Sequence, residues 1–219
     1  MNLGSITNPV RVTARAAPAG RLTDGIGTRP ARKPATAARP ATAARPATNA
    51  EGPLASLIDG IVGHHHAHTR SALHRLAALA ASASPHDRSL PGVARAMDGF
   101  AALECELRAH MTKEEAVIFP YIASLEWALR TGRTPVRSPF SALERPLGAI
   151  LDEQGEDHVL LESIRKASSD YTPPPGASPA IHAFYEGLAA LERALDEHGR
   201  IEAEALFPRA LELEQSALG

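Results

Sequence analysis

A motif that occurs twice constrains this chain more than any other feature. His110, Glu114, Phe119 and Pro120 recur 88 residues later as His198, Glu202, Phe207 and Pro208. An imidazole and a carboxylate at positions i and i+4 project from one face of a helix, one turn apart. The same offset lays residues 101–104 (Ala-Ala-Leu-Glu) on an identical stretch at 189–192, Leu107 on Leu195, and Leu73 on Leu161. Each half therefore reads as a helical hairpin, and the two hairpins are expected to pack as a pseudo-symmetric pair.

Hydrophobic spacing supplies four helices. Leu54, Leu57, Ile58, Ile61, Leu73 and Leu76 follow an i, i+3, i+4 pattern from Pro53 to about residue 83. Ser84-Pro-His-Asp reads as a turn, and a second helix starts near Leu90 and carries Val93, Met97, Phe100, Leu103 and Leu107 toward His110. Pro120 removes a backbone donor, so a kink or restart is expected there. A third helix is expected over about 142–168 and a fourth over about 179–218, on either side of the Thr172-Pro-Pro-Pro-Gly176 turn. The expected fold is an all-α, up-down-up-down four-helix bundle occupying residues 51–219.

Residues 1–50 read differently. Lys33-Pro-Ala-Thr-Ala-Ala, Arg39-Pro-Ala-Thr-Ala-Ala and Arg45-Pro-Ala-Thr form a six-residue repeat that blocks helix propagation and offers little surface to bury. This stretch is expected to be a disordered tail. It holds eight of the 23 basic residues and one of the 25 acids, for a net charge of +7, which leaves the remainder at −9 with all ten histidines. With no aromatic residue among its basic ones, the tail reads as a solvated linker with no specific nucleic acid partner. No apolar run is long enough to span a bilayer, and no apolar core follows the N-terminal basic residues of a would-be signal peptide. A single cysteine, Cys105, excludes an internal disulfide and fits a cytoplasmic location. It reads as a small packed side chain.

One His/Glu pair at this spacing is a common solvated ion pair; two in register, in a bundle, point to metal. Two such pairs facing each other can hold two ions between them. The offset also singles out His66 from its neighbours His64, His65 and His68, which are expected to be exposed, because His66 maps onto position 154. The residue there is Gln154, with His158 one turn later. His74 has no repeat support, and His182 falls on the opposite side of its helix from His198. Imidazole and carboxylate donors without thiolates favour iron or manganese over structural zinc, and carboxylates can bridge two ions.

Taken together, several of these residues resemble the hemerythrin-like di-iron proteins, and among them the iron–sulfur cluster repair family. The resemblance rests on His66 with Arg70, His86 in the first loop, His110-Met-x-Lys-Glu114-Glu with Phe119-Pro120, the 172–177 turn, and His198 with Glu202 before Leu206-Phe-Pro. It covers about residues 53–212. It implies a centre of two non-haem irons, oxo- or hydroxo-bridged, with Glu114 and Glu202 as bridging carboxylates and His66, His86, His110 and His198 as terminal ligands. The family's fifth histidine falls on Gln154. Three outcomes stand open there: His158 reaches in, Gln154 binds through its carbonyl oxygen, or water fills the place.

The small Cys-containing domain that often precedes the bundle in this family is expected to be absent. The implied role is repair of iron–sulfur clusters damaged by nitric oxide or peroxide, by iron supply or by binding and reducing nitric oxide, so enzymatic activity is left open. The implied partners are damaged iron–sulfur proteins and the diatomic molecules NO and O2, with no membrane and with a homodimer left open. The competing readings are a protein that carries or senses oxygen, nitric oxide or iron, and a metal-free helical interaction module.

Overall fold

A computed structural model describes residues 52–218, so the tail expected over 1–50 lies outside the described residues. The described residues form eight α-helices, seven of them joined into four rods, with loops between the rods. The first rod runs through α1 (Leu54–Gly60), a π-helical turn (Ile61–His66) and α2 (Ala67–Ser82). The short α3 (Pro85–Ser89) leads into the second rod: α4 (Val93–Lys113), a π-helical turn (Glu114–Ile118) and α5 (Phe119–Thr131). The third rod is α6 (Glu144–Ala167) alone, and the fourth is α7 (Pro179–Ile201), a π-helical turn (Glu202–Leu206) and α8 (Phe207–Leu218). No helix among the described residues is long and apolar enough to cross a membrane.

The expected turn at Ser84 is a short capped helix. The Ser84 hydroxyl accepts from the Asp87 amide (3.1 Å), and the Asp87 carboxylate accepts from the Ser84 amide (3.0 Å), a reciprocal cap that satisfies two otherwise orphaned donors. The other Asp87 oxygen accepts from the Ser178 amide (2.9 Å), tying this turn to the start of α7. Hydrogen bonds from the Ser178 backbone and from Ser84 hold the Asp87 carboxyl down at about 2. Close by, Gly92 has φ +78°, and a Cβ there would lie 1.9 Å from the Ala167 carbonyl oxygen. Only glycine lets the start of α4 approach the end of α6 this closely.

At the opposite end, carboxylates from neighbouring helices serve as caps. Glu126 accepts from the amides of Leu54 (2.6 Å) and Ala55 (3.0 Å), at the positive end of α1. Buried Glu214 accepts from the Leu143 amide (2.9 Å) and the Tyr121 hydroxyl (2.9 Å), which fixes the entry to α6.

Rods one and four pack along α2 and α7, and rods two and three along α4 and α6; α5 meets both α1 and α8. The beginning of α4 meets the end of α6, and the beginning of α2 meets the end of α7, so neighbours run antiparallel, as the short connections require. The buried apolar residues form two clusters. One contains Leu73, Phe100, Leu107, Met111, Leu161, Phe184 and Leu191; the other contains Leu57, Ile61, Ile118, Ile122, Ile150, Ile201 and Phe207. In every rod the break between the clusters falls at the repeat motif or its counterpart, and polar side chains fill it.

The restart expected at Pro120 takes the form of a π-helical turn followed by α5, which starts at Phe119. The wide turn Glu114–Ile118 immediately precedes Phe119-Pro120, and the helix continues as α5. A π-helical turn changes the local hydrogen-bond pattern, so the missing proline donor is accommodated without ending the rod. The repeat does the same: Glu202–Leu206 is a wide turn and Pro208 follows. The twofold Phe-Pro thus marks two wide turns in register, each beginning at a motif glutamate.

Candidate metal centre

Four side chains from three rods converge in the polar layer. His66, Glu114, His198 and Glu202 are all buried, and one donor atom from each lies within 4.8 Å of the others. His66 comes from the end of the first wide turn, and Glu114 and Glu202 from the starts of the second and third. Wide turns rotate these donors off the ordinary helical register, a use of π-helix that recurs at functional sites. His110 lies one turn before Glu114, with its Nε2 3.4 Å from Glu114 Oε2.

The distances are those of donors aimed at a common centre. His66 Nε2 lies 3.3 Å from Glu114 Oε2 and 3.2 Å from His198 Nε2, which is 2.9 Å from Glu202 Oε1. Glu114 and Glu202 are fully buried, and neither Glu114 oxygen has a well-aimed hydrogen-bond partner. Enclosing two carboxylates among imidazoles costs several kcal/mol per ion unless a cation compensates. Neutral imidazole nitrogens and carboxylate oxygens are the donors that iron or manganese takes. The residues present therefore fit a cation between the rods.

The electrostatics agree. Burial alone would raise Glu114, but the His110 and His66 rings, 3.4 and 3.3 Å away, outweigh it and hold the carboxyl at about 2. Glu202 moves the other way: burial first, and then the negative charge of Glu114, push it well above the carboxylate range. Burial lowers His198 to about 4, which keeps its ring neutral and its lone pair available. Burial also works against a charge on His110, but hydrogen bonding and the charge of Glu114 hold its pKa above the ordinary value. A cation would offset the charge that burial penalises on Glu202.

Around this centre lies a supporting shell that the sequence only hinted at. His66 Nδ1–H donates to Glu115 Oε1 (2.6 Å), and the Arg70 guanidinium donates to both Glu115 oxygens (2.8 Å each). This carboxylate fixes the tautomer that leaves His66 Nε2 free for metal. Phe119, from the motif, stacks on the His66 ring at 5.8 Å. The expected result for Glu115→Ala is a metal affinity lowered by about 10–100-fold, measured by competition with a chelator, with all ligands retained.

The third rod differs. The wide turn Ile61–His66 maps by the 88-residue offset onto residues 149–154, where α6 is regular α-helix. Gln154 sits at the expected ligand position, half-buried, and its Nε2 donates to Glu202 Oε2 (2.6 Å). Of the three outcomes, the inward reach of His158 is not what the structure shows. His158 is exposed, hydrogen-bonded to the Gln154 carbonyl (2.9 Å) and to Asp196 (3.1 Å) across the surface. A cavity of about 30 Å³ lies alongside Gln154, between His110, His198 and Asp157.

His86 is a correction to the ligand set. It is exposed in α3, and its Nε2 lies 3.7 Å from where a Gly176 Cβ would be, at the start of the fourth rod. The rise of α4 from Val93 to His110 is about 25 Å, so the structure leaves His86 at the far end of the bundle. His65 is a second correction. It is buried and stacked on His198 at 5.7 Å, with its pKa lowered to about 4 by burial and then by His198. His64, His68 and His182 are exposed as expected, His74 is exposed too, and Cys105 is exposed rather than packed.

Comparison with known proteins bears on this geometry directly. The family model described as the Hemerythrin HHE cation binding domain matches residues 57–210, from the first rod to the last. Proteins named "Iron-sulfur cluster repair protein YtfE" from Salmonella paratyphi B (strain ATCC BAA-1250 / SPB7) and Salmonella newport (strain SL254) are each 35% identical over 160 residues. The aligned stretch covers 73% of this chain and 67% of each relative.

Proposed function

The chain belongs to the hemerythrin HHE cation-binding family, and from that premise we propose that its buried centre holds two non-haem iron ions and serves the repair of iron–sulfur clusters. The damage it answers is nitrosative or oxidative, and the repair proceeds by iron supply or nitric oxide removal. The observation that carries the di-iron reading is the buried cluster of His66, Glu114, His198 and Glu202, with His110 one turn before Glu114 and 3.4 Å from it. The repair role is supported by the 35% identity to relatives bearing that name.

His66, His110 and His198 would act as terminal ligands, and Glu114 and Glu202 as carboxylates shared between ions. When bound, such a pair of irons supplies exchangeable electrons and an open position for a diatomic molecule. The chain's own residues do the rest. Glu115 orients His66, the two apolar clusters exclude bulk water from either side, and Gln154 holds Glu202 by hydrogen bond rather than donating an imidazole. A ligand set one imidazole short binds iron less tightly, which suits a protein that gives iron up. The expected compartment is the cytoplasm, where damaged iron–sulfur proteins would be the partners.

The cavity beside Gln154 favours a second reading, in which the site binds or senses oxygen, nitric oxide or iron without repair. At about 30 Å³ it has space for a water or a diatomic molecule at the altered face of the centre. One series of measurements separates the readings. Anaerobically purified protein is expected to contain two irons per chain and to restore a nitric-oxide-damaged [4Fe–4S] enzyme. Reversible oxygen or nitric oxide binding without restoration would favour the second reading. One iron or none in the wild type, with two in Gln154→His, would overturn the di-iron assignment for the natural protein.

A further inference from the structure

On the outer side of His110 lies a recess of about 190 Å³ between α4 and α6. Four carboxylates line it, from Glu106, Glu153, Glu156 and Asp157, against one cation, Lys113, which is ion-paired to Glu153. The recess and the 30 Å³ cavity beside the centre have two lining residues in common, His110 and Asp157. These two side chains form the wall between the outside and the metal layer.

Both are incompletely satisfied. His110 is 5% exposed, and while its Nε2 faces Glu114, its Nδ1 is buried without a hydrogen-bond partner, 3.6 Å from Glu153 Oε2 in the recess. The ring therefore spans the two compartments. Asp157 is 7% exposed, and no hydrogen bond to it is found among the described residues. Its carboxylate lines both the recess and the inner cavity, where a cation can reach it from either side. The contrast with His66 is instructive. There the outward Nδ1 is closed off by Glu115, itself clamped by Arg70. On that side the centre is sealed; on the His110 side it is backed by unneutralised acid.

We propose that this recess is a capture site for aqueous iron(II), through which the metal enters and leaves the buried centre, with Asp157 and His110 handing it across. The proposal rests on the reading that the centre holds iron. The outer acids Glu106 and Glu156 draw the cation from solution, and Asp157 offers the first buried oxygen donor. No redox step is involved: a hexaaqua ion exchanges waters for carboxylate oxygens and then for the ligands of the centre.

The test is kinetic. Metal-free full-length protein is mixed anaerobically with ferrous ammonium sulfate at low ionic strength, and uptake is followed by absorbance, release by transfer to ferrozine. The double variant Glu106→Gln/Glu156→Gln is expected to load roughly fivefold more slowly, with the difference shrinking in 0.5 M salt. Asp157→Asn is expected to slow both loading and release by about tenfold. Final iron per chain and visible spectrum should match the wild type in both. Asp98→Asn/Glu212→Gln removes the same charge from exposed positions elsewhere and should load at the wild-type rate. Unchanged rates in the recess variants, or equal slowing in the control pair, would overturn the route. So would a lower final iron content in Asp157→Asn, which would make Asp157 a ligand of the centre. A wild type that takes up no iron would instead remove the premise, and the inference with it.

Discussion

Glu202→Gln is expected to lose iron and gain stability at once. Without the second shared carboxylate, iron content should fall to less than about a tenth of the wild-type value on anaerobic purification. The metal-free variant should nevertheless melt above the metal-free wild type at neutral pH. Glu202 is fully buried, and burial together with the charge of Glu114 raises its pKa well above the ordinary carboxylate value.

The sign of the pH dependence follows from that direction. A carboxyl raised in the folded state binds its proton more tightly there than in the unfolded chain. Folding is therefore unpenalised below the unfolded value, near 4.5, and the penalty grows as pH rises above it. A neutral amide of the same shape escapes the penalty. The gain should be about 1–3 kcal/mol at pH 7, roughly 3–10 °C in a bundle of this size, and should vanish as pH falls toward 4.5. Calorimetry of both metal-free proteins across pH measures it. A variant that keeps its iron, or that is less stable than wild type at pH 7, would contradict the assignment of Glu202.

The second large effect is expected at Gln154. Gln154→His should lengthen the half-life of bound iron against a chelator by about 10–100-fold, with His158→Ala indistinguishable from wild type. The Gln154 side chain already reaches Glu202, and a Cβ on Gly199 would lie 3.4 Å from its amide oxygen, so an imidazole at 154 enters directly at the centre. His158 is held on the outside by Asp196 and contributes no donor. Faster iron loss in His158→Ala, with no gain in Gln154→His, would reverse these roles and imply that α6 shifts when metal binds.

Much of this centre was legible in the sequence because duplication supplied an internal control. The 88-residue offset identified His110, Glu114, His198 and Glu202 by repetition, selected His66 from a run of histidines, and exposed Gln154 as the altered member. What periodicity could not supply was lateral placement. His86 fits by order along the chain, yet it precedes a helix whose length carries the metal layer far from it. The offset selects His66 and leaves His65 among the exposed neighbours, but the π-helical turn Ile61–His66 buries both residues. Asp157 carried no motif at all. Its one signal was the offset itself, which pairs it with Thr69, another buried residue lining the inner cavity.

The separation of the apolar core into two clusters has a consequence for how the bundle breathes. With the layer between them built from His and Glu, hydrophobic contact does not run uninterrupted along any rod. The end containing Ile61, Ile122, Ile150 and Phe207 and the end containing Leu73, Phe100, Leu161 and Phe184 are two packing units. Units of this kind can open separately, each with its own free energy. A cation held by His66, Glu114, His198 and Glu202 would span three rods and tie the units into one cooperative block. Amide protection at residues far from the candidate ligands would then report cation occupancy, with either end of the bundle stiffer when the site is filled than when it is empty.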